Sequence, residues 1–171
     1  MNSYDYFEKD KEIKVGNNYF PKSDNGIKYS LSFWIKTNNI SMNGPWDSSI
    51  ENNKEIITKD GSPNVLFVAP NTLRIQICYK DKDAARDYYN FDFEMYEAQT
   101  WNNFVIVVNN QKVIIYKNGL IERSKIIENI HLLSKKMTNI GSKNNNFYGY
   151  LGYIDYYNYN LSNEQIKKLY Y

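Results

Sequence analysis

Asp92-Phe-Glu-Met-Tyr-Glu97 gathers three carboxylates in one short stretch. If the stretch is extended, Asp92 and Glu94 share a face. Two carboxylates about 5 Å apart are the pair a retaining glycosidase uses, one as nucleophile and one as acid and base. The other reading is the solvated outer face of a strand. A second stretch, Tyr153-Ile-Asp-Tyr-Tyr-Asn-Tyr159, is rich in aromatic rings. On strict alternation Tyr153, Asp155, Tyr157 and Tyr159 share one face, and Ile154 and Tyr156 take the other. One set packs inward; the other is exposed or covered by a partner. An exposed tyrosine offers a flat apolar ring and a hydroxyl, which suits both sugar stacking and protein interfaces. Trp46, in the loop Asn43-Gly-Pro-Trp-Asp47, either plugs an end of the fold or meets a ligand. Trp46, Tyr153, Asp155, Tyr157 and Tyr159 are therefore the candidate ligand-binding residues.

Other chemistry is thinly supplied. His131 is the single histidine, so a Ser-His-Asp or Cys-His centre would have to be built on it. It stands in Asn129-Ile-His-Leu-Leu133, which reads as a structural connection. Cys78 is also alone, between Ile75, Ile77 and Tyr79, and reads as a buried, inert thiol. No His/Cys cluster is present for zinc or iron, and no internal disulfide can form. No catalytic residues are assigned, and the chain is expected not to be an enzyme.

The bulk numbers bound the rest. With 171 residues the chain suits one domain, 1–171, with a sizeable core. Residues 1–14 read as a loosely ordered N-terminal extension. The charge balance is 21 basic against 19 acidic residues. That is too even for the basic stripe that nucleic acid asks for. No run approaches the roughly 18 apolar residues of a membrane helix, so no membrane insertion is expected. Met1–Lys14 has no apolar core of a signal peptide. The chain is thus expected in the cytoplasm or in an assembly built there, or it is a piece of something longer. A single cysteine suits a reducing compartment. Two Asn-x-Ser sequons, at Asn39 and Asn160, are expected by chance in so Asn-rich a chain.

The elements that must position these residues are strands. Trp101–Gly119 reads as a strand, a tight turn, a second strand and an Asn118-Gly119 turn into a third. A type I′ turn needs φ > 0 at both central residues, which favours Asn-Gly. Val and Ile dominate these runs, and β-branched side chains fit a pleated surface. Lys11–Phe20 reads as a first edge-strand pair. Ser30–Thr37 follows, with Leu31, Phe33 and Ile35 on one face. Then come Glu55–Lys59, Val65–Val68, Thr72–Tyr79, a charged loop Lys80–Asp87, Tyr89–Tyr96, a strand within Asn129–Ser142, and Tyr148–Tyr159. Short strands at even spacing indicate a sandwich or barrel. One helix closes the chain: Ser162 and Gln165 form a capping box, and Leu161, Ile166 and Leu169 form its apolar stripe.

In order, the words of the chain resemble those of laminin-G-like, concanavalin A-like jelly rolls. They are Ser30-Leu-Ser-Phe-Trp-Ile-Lys-Thr37, Glu55-Ile-Ile-Thr-Lys-Asp-Gly61, Trp101–Val108, Val113–Gly119, Asn139-Ile-Gly141 and Gly149–Ser162. The resemblance runs over nearly everything after residue 15. It implies an all-β fold: a two-sheet antiparallel jelly-roll sandwich, concanavalin A-like, with a short C-terminal helix. It also implies that Trp34 and Trp101 are core positions with packing roles. Asn64–Ile75 and the Tyr157–Ser162 ending are most similar to versions found in large DNA viruses.

Enzymes of this kind carry Glu-x-Asp-x-x-Glu, whereas Asp92, Glu94 and Glu97 give Asp-x-Glu-x-x-Glu, with the outer and middle acids exchanged. Many relatives hold calcium, but the frequent ligand position falls on Gly152. Asp155 would reach a metal only through a strand shift or a bulge at Gly152; Asp24 and Asp60 are other loop acids, read either as further ligands or as solvated turn residues. No cofactor is expected, and calcium is the one ion the resemblance raises. Fold alone does not fix function. The expectation is a non-catalytic module that recognises a glycan or a protein surface. The alternative is a structural component of a virion, docked on coat proteins. A glycoside hydrolase ranks below both, and oligomeric state is left open.

Overall fold

Asn118 and Gly119 both take left-handed backbone, at φ 52° and 76°. They fold β9 (Lys112–Lys117) back on β10 (Leu120–Ile126), as the Asn-Gly pair predicts. The computed structural model describes residues 4–7, 12–15, 27–38, 53–59, 62–69, 71–80, 86–95, 99–130, 138–142 and 147–171. Trp46, Asp24, Asp60, Glu97, His131 and the sequon at Asn39 lie outside the described residues.

The other strands are β1 (Tyr4–Phe7), β2 (Glu12–Val15), β3 (Lys28–Thr37), β4 (Lys54–Thr58), β5 (Asn64–Ala69), β6 (Thr72–Lys80), β7 (Arg86–Glu94), β8 (Asn102–Asn109), β11 (Thr138–Gly141) and β12 (Gly149–Tyr157). They form two antiparallel sheets, ordered β1-β12-β3-β8-β9-β10 and β2-β11-β4-β5-β6-β7. Alternation fills the space between them. Leu31, Phe33 and Ile35 of β3 and Phe104, Ile106 and Val108 of β8 meet Leu73, Ile75 and Ile77 of β6 and Phe91 and Phe93 of β7. The result is the two-sheet antiparallel jelly-roll sandwich expected of the sequence, with its short helix.

That helix, α1 (Asn163–Tyr170), begins as read. Gln165 N donates to Ser162 Oγ at 3.3 Å, and Ser162 N donates to Gln165 Oε1 at 2.8 Å. Leu161 and Ile166 are buried on the outer face of the first sheet, against Val105, Val107 and Tyr116, with Leu169 beside them. Asn160 donates from Nδ2 to Val108 O at 2.7 Å, so the second sequon's amide is committed to tying the chain to β8. Among the described residues, no helix is long and apolar enough to cross a membrane.

Three expectations need correction. Residues 4–7 are not a loose extension, because β1 pairs with β12; β2, within the stretch Lys11–Phe20 read as an edge-strand pair, pairs with β11 at the edge of the second sheet. The edge strand of a sheet offers unpaired N–H and C=O groups, and a short alternating segment satisfies them. The charged loop is shorter than Lys80–Asp87, because β6 and β7 pair all the way to Lys80 and Arg86. Tyr79 Oη donates to Asp87 Oδ2 at 2.9 Å near that end. Trp34 and Trp101 are half-buried and do not join the core between the sheets.

Gly149 pairs with Thr37 where β12 enters the sheet, and a Cβ there would overlap the Lys36 carbonyl oxygen. Backbone on both sides is fixed by the ladder, so the clash is not relieved by a rotamer change. Gly149→Ala is expected to lower stability by about 1–3 kcal/mol in urea unfolding. An unchanged midpoint would contradict this packing.

Candidate functional site

β12 carries the site because of where it departs from regular pairing with β3. Gly152 pairs with Trp34 and Asp155 with Ser32, so Tyr153 and Ile154 together oppose the single residue Phe33. This is a β-bulge, which inserts one residue and re-aims a side chain. Ile154 is buried in the core; Tyr153 is 45% exposed. Tyr153 takes φ 49°. Three of the other non-glycine residues with positive φ are Asn110, Asn118 and Asn129, a type that tolerates this backbone. A tyrosine does not, and the left-handed conformation costs it roughly 1–2 kcal/mol.

The bulge keeps Tyr153, Asp155 and Tyr157 off the core side, and Ile154 and Tyr156 face inward. Tyr157 and Tyr159 meet edge to face, with centroids 5.7 Å apart. Tyr159 is 47% exposed and held from behind by Ser30. The Ser30 hydroxyl donates to Tyr159 O and accepts from Leu161 N, both at 3.0 Å. Burial, the charge of Asp155 and nearby Tyr159 all push the Tyr157 phenol up. Asp155, Tyr157 and Tyr159 are thus one cluster, with Tyr153 at the bulge beside it. The bulge weighed at Gly152 is present. Among the described residues, no three His, Cys, Asp or Glu side chains gather as a metal site.

The same outer face continues onto β3. Trp34 stacks on Tyr170 of α1, with centroids 5.8 Å apart and planes 10° from parallel. Gly152, opposite Trp34, adds no side chain over it. Lys36 pairs with Tyr150, and its Nζ stands 4.9 Å from the Tyr150 ring and 5.6 Å from the Trp101 ring. From Lys36 to Ser30 the face is about 20 Å long. Lys36, Trp34, Trp101 and Tyr150 were not among the sequence candidates. The signal was present: if Leu31, Phe33 and Ile35 point inward, Trp34 and Lys36 point outward.

The carboxylate stretch lies elsewhere, on the outer face of the second sheet. Asp92 and Glu94 are exposed there. Arg74 grips Asp92 with Nε–Oδ1 at 2.7 Å and Nη2–Oδ2 at 2.8 Å. Gln76 Nε2 donates to Asn90 Oδ1 at 3.0 Å alongside. Asp92 is spent on a cross-strand pair and does not face Glu94 across a cleft.

The sequence matches the family described as the concanavalin A-like lectin/glucanases superfamily over residues 7–167. The chain belongs to this family. No curated protein matches it in sequence. Among solved structures, this family member is similar to the binding domain of botulinum neurotoxin serotype D, with TM-score 0.72 and 19% identity over 96% of this chain and 41% of that one. The serotype D ligand binding domain in complex with N-acetylneuraminic acid matches at TM-score 0.67 and 20% identity, covering 93% and 39%. The type G receptor binding domain matches at 0.61 and 18%, covering 98% and 44%. At such identities the likeness is one of fold. The chain spans about two fifths of the length of these domains.

Beneath the site, Tyr156 stacks on buried Tyr29, with centroids 5.8 Å apart. Burial pushes the Tyr156 phenol up to about 12, and burial also raises Tyr29. An unfolded chain releases the Tyr156 proton near pH 10, before the folded chain does. The neutral phenol therefore supports the fold fully below pH 10, and that support is lost as pH rises from 10 to about 12. Thermal melts of wild type and Tyr156→Phe across this window are expected to diverge, with the shallower decline in the variant. Parallel declines would contradict the assignment.

Proposed function

We propose that this chain is a non-catalytic binding module that recognises a glycan on the outer face of its first sheet. The observation that carries the reading is Tyr153: a large aromatic ring, half in solvent, kept in a backbone conformation unfavourable to it. Strain of this kind persists where function uses it. Trp34, Trp101, Tyr150, Tyr157 and Tyr159 extend the aromatic surface, and stacking on sugar rings is what such a surface does well. Family membership supports a lectin-like role, and one fold neighbour holds a sugar acid, N-acetylneuraminic acid. The pairing of Asp92 with Arg74 argues for a non-catalytic chain. Trp46 remains a proposed ligand contact.

A protein partner is the second reading, favoured by β10. All seven of its residues are exposed, Leu120, Ile121 and Ile126 among them. A partner among the coat proteins of a virus particle is the narrower form of this reading. Its support is the wording of Asn64–Ile75 and Tyr157–Ser162 alone.

A glycan array probed with the purified chain, in calcium and again in EGTA, tests the first reading. Reproducible binding to one sugar class is expected, equal in both conditions. Tyr153→Asn keeps the backbone and removes the ring, and it is expected to weaken that binding about tenfold, as loss of an aromatic contact does. No binding to any glycan would shift the weight to β10 and a protein partner.

A further inference from the structure

We propose that the glycan bound by this face is anionic, and that Lys36 receives its carboxylate or sulfate group. The proposal rests on the binding-module reading above and names the ligand class. Lys36 lies on β3, opposite Tyr150, with its ammonium between two rings that are themselves 6.2 Å apart and tilted by 53°. Contact with both rings holds the side chain in place before any ligand arrives. Ordering a lysine is ordinarily a large entropic cost, so a pre-placed one binds at less expense.

The donors of this ammonium are unspent. A lysine head carries three N–H donors and no acceptor. The rings attract its charge through their faces without supplying a conventional acceptor. Among the described residues Lys36 makes no hydrogen bond and no ion pair. Some other cations of the chain are engaged: Lys14 with Glu12 at 3.6 Å, Lys117 with the Glu94 carbonyl at 3.3 Å, Arg74 with Asp92. Lys36 is half-buried, and its aromatic walls shield it from the water that would weaken an ionic contact.

An anion that meets Lys36 makes a charge-assisted hydrogen bond while its sugar ring lies against Trp101 or Tyr150. The face also has a direction. Asp155 pairs with Ser32, four β3 residues from Lys36 and thus about 13 Å away. A carboxylate there repels an anionic group. One acidic group, placed at the Lys36 end and away from Asp155, is the ligand that fits.

The test uses an array of matched pairs: uronate oligosaccharides with their carboxyl-reduced forms, sialylated glycans with desialylated ones, and sulfated glycans with desulfated ones. Wild type is expected to prefer the acidic member of at least one pair by tenfold or more, and to lose that preference as salt rises. Lys36→Met keeps a stem between the rings and removes the charge. It is expected to bind acidic and neutral members alike. Lys36→Arg restores the preference. Equal binding of both members by wild type, or a preference that survives Lys36→Met, overturns the proposal. Binding to neutral glycans alone overturns the anionic class but leaves the module reading standing. Binding to no glycan overturns both.

Discussion

Phe33 has to face the core, and the pairing around it decides what the outer surface presents. It is fully buried, stacked on Phe104 at 5.6 Å, at the centre of a strand paired on both sides. β8 meets it with one residue and β12 with two. Strict alternation puts an odd number of residues between two that share a face, but Leu151 and Ile154 are both buried and only two residues separate them, so the pairing must break there. Gly152 and Tyr153 are those two residues. The bulge is the price of burying both apolar residues, and Tyr153 is the side chain it turns outward.

The two outer faces of the sandwich have been used differently. On the second sheet, Arg74 with Asp92 and Gln76 with Asn90 satisfy one another across β6 and β7 on a solvated surface. On the first sheet, α1 packs on β8 and β9 through Leu161 and Ile166 and reaches β3 through the stack of Tyr170 on Trp34. The rings along β12 and β3 meet at several angles, near parallel for Trp34 and Tyr170, tilted for Trp101 and Tyr150, and edge to face for Tyr157 and Tyr159. These rings and the Lys36 ammonium stand together on this outer face.

Much of the fold was legible in the residues. The Val/Ile runs, the Asn118-Gly119 turn and the Ser162/Gln165 capping box are local signals, and local physics decided them. The face shared by Tyr153, Asp155 and Tyr157 was legible too, though strict alternation would not have placed Leu151 and Ile154 both inside. The bulge depends on β3, more than a hundred residues away in sequence, and no pattern within β12 announces it. The role of Trp34 was misread because a family core position was given more weight than the alternation of Phe33 and Ile35 on either side. β1 was missed because four residues at a sheet edge are ordered by their partner and carry little signal of their own.

If Tyr153 is held for its ligand and not for the fold, removing it whole leaves a regular strand. Deletion of Tyr153 keeps Leu151 opposite Ile35 and Gly152 opposite Trp34. It brings Ile154 opposite Phe33 and leaves Asp155 opposite Ser32, so every buried residue stays buried. Chemical unfolding of this deletion variant is the most direct measurement. A folded chain at least as stable as wild type is expected, since the left-handed residue and its cost of about 1–2 kcal/mol are gone. A loss of several kcal/mol, or failure to fold, would mean that the bulge serves the sandwich itself and that Tyr153 is a structural residue.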